Sequence, residues 1–554
     1  MGGEHGAGGL PVTRRGAALV LLALLAGAGC ALLEEEPDPS QLVCSSDAEC
    51  GVNEICFPDG CGDPGRDIVV EVVPNPPARS HAQDFRVDNL RPEQNLRLAE
   101  PAEVAGRVVR ATTLPSEDGG VVMRNYNEVL HLRAAGESLL LPGVTRQYDA
   151  TLVPTNGAWT LPVGTGLYTV TLSPDDLEVP PVRGQSHVEP GASAPLDLVL
   201  PAANTLARLS GRVERQGGVL VDAPLEIQAL DSDLTALSQR VPVTRGTGDF
   251  TVVIPGEAAQ RSAVLLRVTA SGEAPWVPQK TFTVDPRAPL TAPLALGDYG
   301  TPVRVTGRVV GLNGRPIPGA TVSLQGEVGG GGTFHGPLAT TGTEGRFAAD
   351  TLPSAPGGTL SLVVVPPPGS TSGLTVLPVE VPRTGVALPD VLCPDRRVLR
   401  GTLLLPDNLT AAPGVRVLAE PIGQVPGWPR PPAGGEALGT TDDTGTFRLR
   451  LDPAVYRVDF VPTENLPRVS RTVTVLPGDD VTEQVLATFP LQKGRTVSGR
   501  VTELAADAGT RKGAAYASIR FYRVVTVEGQ PSSVLLSQAV SDQEGRYTAL
   551  IPVR

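Results

Sequence analysis

Apolar and polar positions alternate with period two along most of this chain, in short runs closed by turn residues. The stretch at 305–347 shows the pattern most clearly. Val305-Thr306-Gly307-Arg308-Val309-Val310 reads as a strand, Asn313-Gly314 as a hairpin turn, and Pro318-Gly319-Ala320-Thr321-Val322-Ser323-Leu324 as a second strand. Thr343-Glu344-Gly345-Arg346-Phe347 reads as another turn leading into a strand that opens on an aromatic. Alternation puts Val305 and Gly307 on one face and Thr306 and Arg308 on the other. A glycine inside a strand predicts a bulge or a close backbone approach. Gly345 predicts a positive φ in its turn. The aromatic after it enters the core, where burial contributes about 1.5–3 kcal/mol.

The same phrase is written five times. Opening strands carry Gly106, Gly211, Gly307, Gly401 and Gly499, spaced by 94 to 105 residues. A second anchor keeps step with the first: Gly157-Ala158-Trp159, Gly248-Asp249-Phe250, Gly345-Arg346-Phe347, Gly445-Thr446-Phe447 and Gly545-Arg546-Tyr547. Two anchors recurring together define a repeat, and Trp159 and Phe347 are read as its core fillers. Units of about 95 residues with turn signals every 8–12 residues have the size and rhythm of a β-sandwich.

This phrase resembles the carboxypeptidase regulatory-like domain, a transthyretin-like β-sandwich of bacterial surface proteins. It does so best at 303–390, through Gly307-Arg308-Val309, Pro318-Gly319-Ala320-Thr321-Val322 and Thr343-Glu344-Gly345-Arg346-Phe347. The resemblance implies fold and no catalysis. The expected architecture is all-β: a tandem array of Ig-like or transthyretin-like β-sandwiches preceded by a small disulfide-rich segment. Repeats are placed at 103–202, with an insertion around 112–150, and at 203–298, 299–393, 394–490 and 491–554. The fifth is expected to be incomplete, because Leu550-Ile551-Pro552-Val553-Arg554 falls where the others begin their last strands. Either the chain is truncated, the favoured expectation, or the module is incomplete and leaves an unpaired edge, an association hazard. Residues 63–102 hold the apolar run Ile68-Val69-Val70-Glu71-Val72-Val73 and a proline-rich stretch, read as a lead-in strand or linker.

The N-terminus changes where this array is placed. Arg14 and Arg15 precede the apolar run Ala17–Ala26, and Gly27-Ala28-Gly29-Cys30 follows. Residues 1–30 resemble a bacterial lipoprotein signal, which implies lipidation of Cys30, although Gly27 stands where that family usually has Leu. The rival is cleavage after Ala28, giving a secreted protein. Acyl chains would anchor the protein, each buried CH₂ contributing about 0.8 kcal/mol. Residues 31–43, with Glu34-Glu35-Glu36-Pro37, read as an acidic tether. In 44–62, Cys44, Cys50, Cys56 and Cys61 read as two disulfides of unspecified connectivity, since export favours oxidation and so short a segment cannot build a core. If Cys30 carries lipid, Cys393 has no partner; otherwise the two could pair. No later run approaches the length of a membrane span.

Composition narrows the function. At 554 residues the chain exceeds one core, and 63 Gly and 55 Pro suit many short strands. The net charge is −13, with no basic stripe, so nucleic acid is excluded as an expected partner. The five histidines are scattered and form no metal-ligand pair; no nucleophile elbow or phosphate loop is present. No catalytic residue, metal site or cofactor is expected. Acidic residues near turns, such as Asp442 and Asp542, read as Asx-turn formers. Trp428, in a proline loop, and Trp276 are the candidates for a ligand-binding loop. The expected function is that of a non-catalytic, lipid-anchored envelope protein, a structural stalk or an adhesion and interaction scaffold. Its location is the outer membrane, periplasm-facing or at the cell surface, and its partner an envelope protein or a polysaccharide. The alternative is a carbohydrate-binding module array; an accessory subunit of a peptidase or other hydrolase ranks last.

Overall fold

The computed structural model describes residues 50–554 apart from 51–53, 58–59, 77–80, 101, 114–120, 190–192, 273–275, 427, 429–430, 432–436, 464–465, 478–482, 506–509, 528–529 and 554. The signal, Cys30, the tether and Cys44 lie outside the described residues. A short hairpin, Ile55–Phe57 with Gly60–Gly62, precedes three strands: β1 (Arg66–Val73), β2 (Gln83–Asn89) and β3 (Leu96–Arg97).

The unit at 299–393 is the reference module. Its strands are β4 (Val303–Gly311), β5 (Thr321–Val328), β6 (Gly332–His335), β7 (Arg346–Thr351), β8 (Leu360–Val365), β9 (Thr375–Val379) and β10 (Val386–Cys393). One sheet runs β7-β4-β10, with β7 antiparallel and β10 parallel to β4; the other runs β6-β5-β8-β9. Val305 and Val309 from the first sheet meet Val322, Leu324, Leu360 and Leu362 from the second, all fully buried. Alternation makes this sandwich: the apolar set of each strand falls on one pleat face, and two such faces must cover each other. Modules 103–202, 203–298 and 394–490 repeat both strand orders. Modules 203–298 and 299–393 also share one continuous hydrophobic core.

The repeat's two anchors are direct cross-strand partners. Gly106 lies opposite Trp159, Gly211 opposite Phe250, Gly307 opposite Phe347, Gly401 opposite Phe447 and Gly499 opposite Tyr547. A Cβ at Gly307 would come within 2.8 Å of the Phe347 ring, and one at Gly401 within 2.6 Å of Phe447. The opening glycine therefore makes room for the aromatic, and the β4–β10 register shifts around it as a bulge. The turn glycine Gly345 has a φ of 71°, and its carbonyl accepts the Val309 N–H at 2.8 Å.

The last repeat departs from expectation. Its strands are β11 (Lys493–Leu504), β12 (Ser518–Val527), β13 (Gln530–Val540) and β14 (Arg546–Val553). They are completed by strands from residues 63–102, expected to be a lead-in strand or linker. β1 lies antiparallel to β12, and the sheet runs β2-β1-β12-β13; β3 lies parallel to β11. Thus β1, β2 and β3 occupy the positions that β8, β9 and β10 hold in the reference module. Ile68, Val70 and Val72 share one core with Val497, Ile519, Phe521 and Ile551. Residues 491–554 are therefore not left with the free edge expected of them; β1 and β3 fill it. The reason is that β1 is apolar on both faces from Ile68 to Val73 apart from Glu71, the pattern of a strand covered on both sides.

A circuit of connections follows. Modules 103–202 to 394–490 begin and end on a single composite module built from residues 66–97 and 491–554. Among the described residues no helix is long and apolar enough to cross a membrane.

Candidate functional site

The residues singled out in the sequence go to different places. Trp276 is half-buried and stacks on Phe334 of the next module, with ring centroids 6.0 Å apart. Beside it, Gln279 and Thr333 exchange backbone hydrogen bonds of 2.8 Å, and the Lys280 ammonium donates to the Gly330 carbonyl. Trp276 thus joins modules 203–298 and 299–393, with Phe334 against its ring.

Trp428 stands differently. It is half-buried, its backbone N–H donates to the Val425 carbonyl, and it faces the neighbouring module across a groove of about 580 Å³. The groove is lined by Leu374, Val376, Leu377, Leu392 and Pro394 together with Gln424 and Trp428. Thr375 and Gln424 add polar groups to this mainly apolar cleft, and Trp428 forms one wall. The two candidate tryptophans lie at different module junctions and do not form one site.

A second, polar depression of about 750 Å³ lies on the outer face of the sheet at 130–188. His131, Arg133, Asp149, Thr151, Thr171 and Arg183 line it. His131 is bound on both ring nitrogens, to Thr151 at 3.0 Å and Asp175 at 2.9 Å. Period-two alternation in Leu130–Glu137 brings His131 and Arg133 to this outer face.

The most heavily constructed polar cluster is at the junction of module 103–202 with the composite module. Arg146 donates to Asp84 Oδ1 at 2.6 Å, to Glu71 Oε1 at 3.0 Å and to the Thr165 carbonyl at 2.7 Å. Ser138 donates to Asp84 at 2.5 Å, and Arg520 and Tyr522 donate to the other Glu71 oxygen. The side chains of Arg146, Glu71 and Asp84 are 6%, 3% and 0% exposed. Burial opposes the Arg146 charge, but the bonds and charges of Asp84 and Glu71 outweigh it and hold its pKa above the ordinary value. Val69, Leu141 and Tyr522 form a small apolar core beside the cluster. Hence β1 is gripped on both faces, by its own module's core and by the neighbouring module. Glu71 in an apolar run was the one available sequence signal, and it gave no indication of its partner.

Cys50 and Cys61 form a disulfide, with Cα atoms 5.3 Å apart, as expected of two of the four clustered cysteines. Phe57 from this hairpin enters the composite core, and the Arg523 guanidinium lies 4.1 Å over its ring. Cys393 is a free thiol in the reference core; burial raises its pKa. Asp442 forms the expected Asx turn, accepting backbone N–H bonds from Thr444 at 2.9 Å and Thr446 at 3.0 Å. Among the described residues no cluster of three His, Cys, Asp or Glu could hold a metal ion.

No family model matches the chain, and no curated protein matches it. The resemblance to the regulatory-like domain therefore rests on the motif residues alone. Among solved structures, the chain is similar to a streptococcal ancillary pilin, at 14% identity and a TM-score of 0.20 over 52% of this chain and 99% of that one. It is also similar to the Bacillus anthracis TIE protein, at 11% identity and 0.17, over 70% and 74% of the two chains. BcpA, the major pilin subunit of Bacillus cereus, aligns at 9% identity and 0.16 over 52% and 99%.

Proposed function

We propose that this chain is a non-catalytic envelope scaffold, lipid-anchored through Cys30, whose closed set of sandwiches presents outer sheet faces and loops for adhesion or assembly. One observation carries this reading. The residues written into every copy are the paired glycine and aromatic, and each pair is used to hold its own sandwich. What differs between copies is surface: the polar face around His131 and the cleft at Trp428. The proposed location is the outer membrane, periplasm-facing or at the cell surface, with secretion as the alternative. Beads coated with the protein should adhere to envelope material without consuming ester, glycoside or peptide substrates. Turnover that scales with protein and disappears on denaturation would overturn the scaffold reading. Labelling with a palmitate analogue should be lost in Cys30→Ser; persistent labelling would refute the anchor.

The Trp428 cleft favours a second reading, carbohydrate binding, because an indole on an apolar wall can stack on a sugar ring. Trp428→Ala should then abolish binding on a glycan array, whereas no glycan bound by the intact protein would sink that reading.

A further inference from the structure

We propose that the cleft of residues 491–554 that receives β1–β3 also receives them from a second copy of this chain, joining copies head to tail. The complement is encoded on both sides of the cleft. Donor residues Ile68, Val70 and Val72 complete the apolar core, Glu71 meets Arg520 at 3.2 Å, and the Tyr547 hydroxyl donates to the Gln94 carbonyl at 2.6 Å. Arg511 donates to the Leu98 carbonyl at 2.5 Å. Every copy carries the same donor and the same acceptor, so the pairing in one chain and the pairing between two have identical contacts.

Two further features favour exchange. The paired segments are far apart in sequence; the Arg523 bond to the Asp63 carbonyl spans 460 residues. At roughly 5–20 residues per second of synthesis, the donor waits on the order of 20–90 s for its own acceptor. During that time its apolar strand is open to the acceptor of a finished neighbour. The exchanging part is also defined. β1 and β2 stay with module 103–202, held by Arg146 to Glu71 and Asp84 and by Ser138 to Asp84, while Gln83 exchanges hydrogen bonds of 3.0 and 2.9 Å with Ala99 in the chain leading into that module. Residues 491–554 join the preceding module at Leu491, which is buried in that module's core, so exchange turns about the residues just after it. Such a contact is heterologous: it closes when two copies exchange mutually and otherwise runs on.

Val73 and Ser518 lie directly opposite each other at the end of the β1–β12 pair, both half-buried. Full-length chains carrying Val73→Cys or Ser518→Cys are unfolded, mixed in equal amounts and refolded together in a thiol–disulfide buffer over a range of concentrations. The double variant, V73C/S518C, is refolded alone. Non-reducing electrophoresis and mass spectrometry read the 73–518 cross-link. The mixture should give a cross-linked pair whose fraction rises in proportion to concentration, and the double variant should pass from cross-linked monomer to covalent multimers. The proposal is overturned if the mixture gives no 73–518 link at any concentration while the double variant closes as a monomer. It is equally overturned if the double variant forms no 73–518 link, since the pairing itself would then be missing.

Discussion

At the scale of single residues, the gain comes from a glycine and an aromatic that share a cross-strand position. The Phe347 ring lies where a Gly307 side chain would be, so Gly307→Ala drives a methyl group to within 2.8 Å of it. The expected cost is that of overpacking, about 1–3 kcal/mol. Hydrogen exchange in 299–393 should rise by the matching factor, and unchanged protection would contradict the account. Acid sensitivity belongs to this scale too. Hydrogen bonding by Thr444 lowers the Asp442 pKa, and the bond from Arg304 lowers that of Asp350. Each carboxylate has a folded pKa below its unfolded one, so the unfolded chain binds more protons as pH falls. Their stabilisation is present above about pH 4 and is lost through and below it. The thermal midpoint should fall more steeply between pH 5 and 3 than between 7 and 5, and Asp442→Asn should flatten part of that acid limb.

At the scale of elements, the decisive one is β1. Its apolar run marked it as a strand, yet nothing local says that its partner is β12. Pairing is chosen by the whole collapsed chain: a strand covered on both faces satisfies its backbone only inside a sheet, and β12 had a vacant side. Val70→Asp places a carboxylate in a fully buried position of the composite core. It should release β1–β3, so that residues 491–554 become susceptible to protease and bind a hydrophobic dye, while 299–393 keeps its protection. Equal loss in both modules would show that the composite module does not depend on β1 in this way. The four uninterrupted sandwiches were legible because period-two patterning and turn chemistry act over a few residues. The Trp276 stack on Phe334 was not, because a loop aromatic's neighbour belongs to the next module.

At the scale of the molecule, closure depends on the junction around Arg146. Removing that guanidinium leaves Asp84 buried with its charge uncompensated and Glu71 with Arg520 as its remaining cation, which costs about 3–5 kcal/mol. Arg146→Ala should therefore open the junction, read as faster exchange in β1, β2 and 138–146. By contrast, Arg346→Ala breaks a pair with Glu344 in which both side chains are 76% exposed, and should change stability by at most about 0.5 kcal/mol. Comparable effects from the two substitutions would remove the junction from its place in the circuit.

The sequence by itself determined the module: its strands, the face each residue takes, the turn glycine and the aromatic that follows it. These are short-range consequences of pleat geometry and backbone sterics. Only the tertiary structure decided that β1–β3 complete the last repeat, that Trp276 joins two modules, and that Arg146 is buried between carboxylates. Those choices depend on which surfaces are left uncovered once every module has formed, and that is a property of no local stretch.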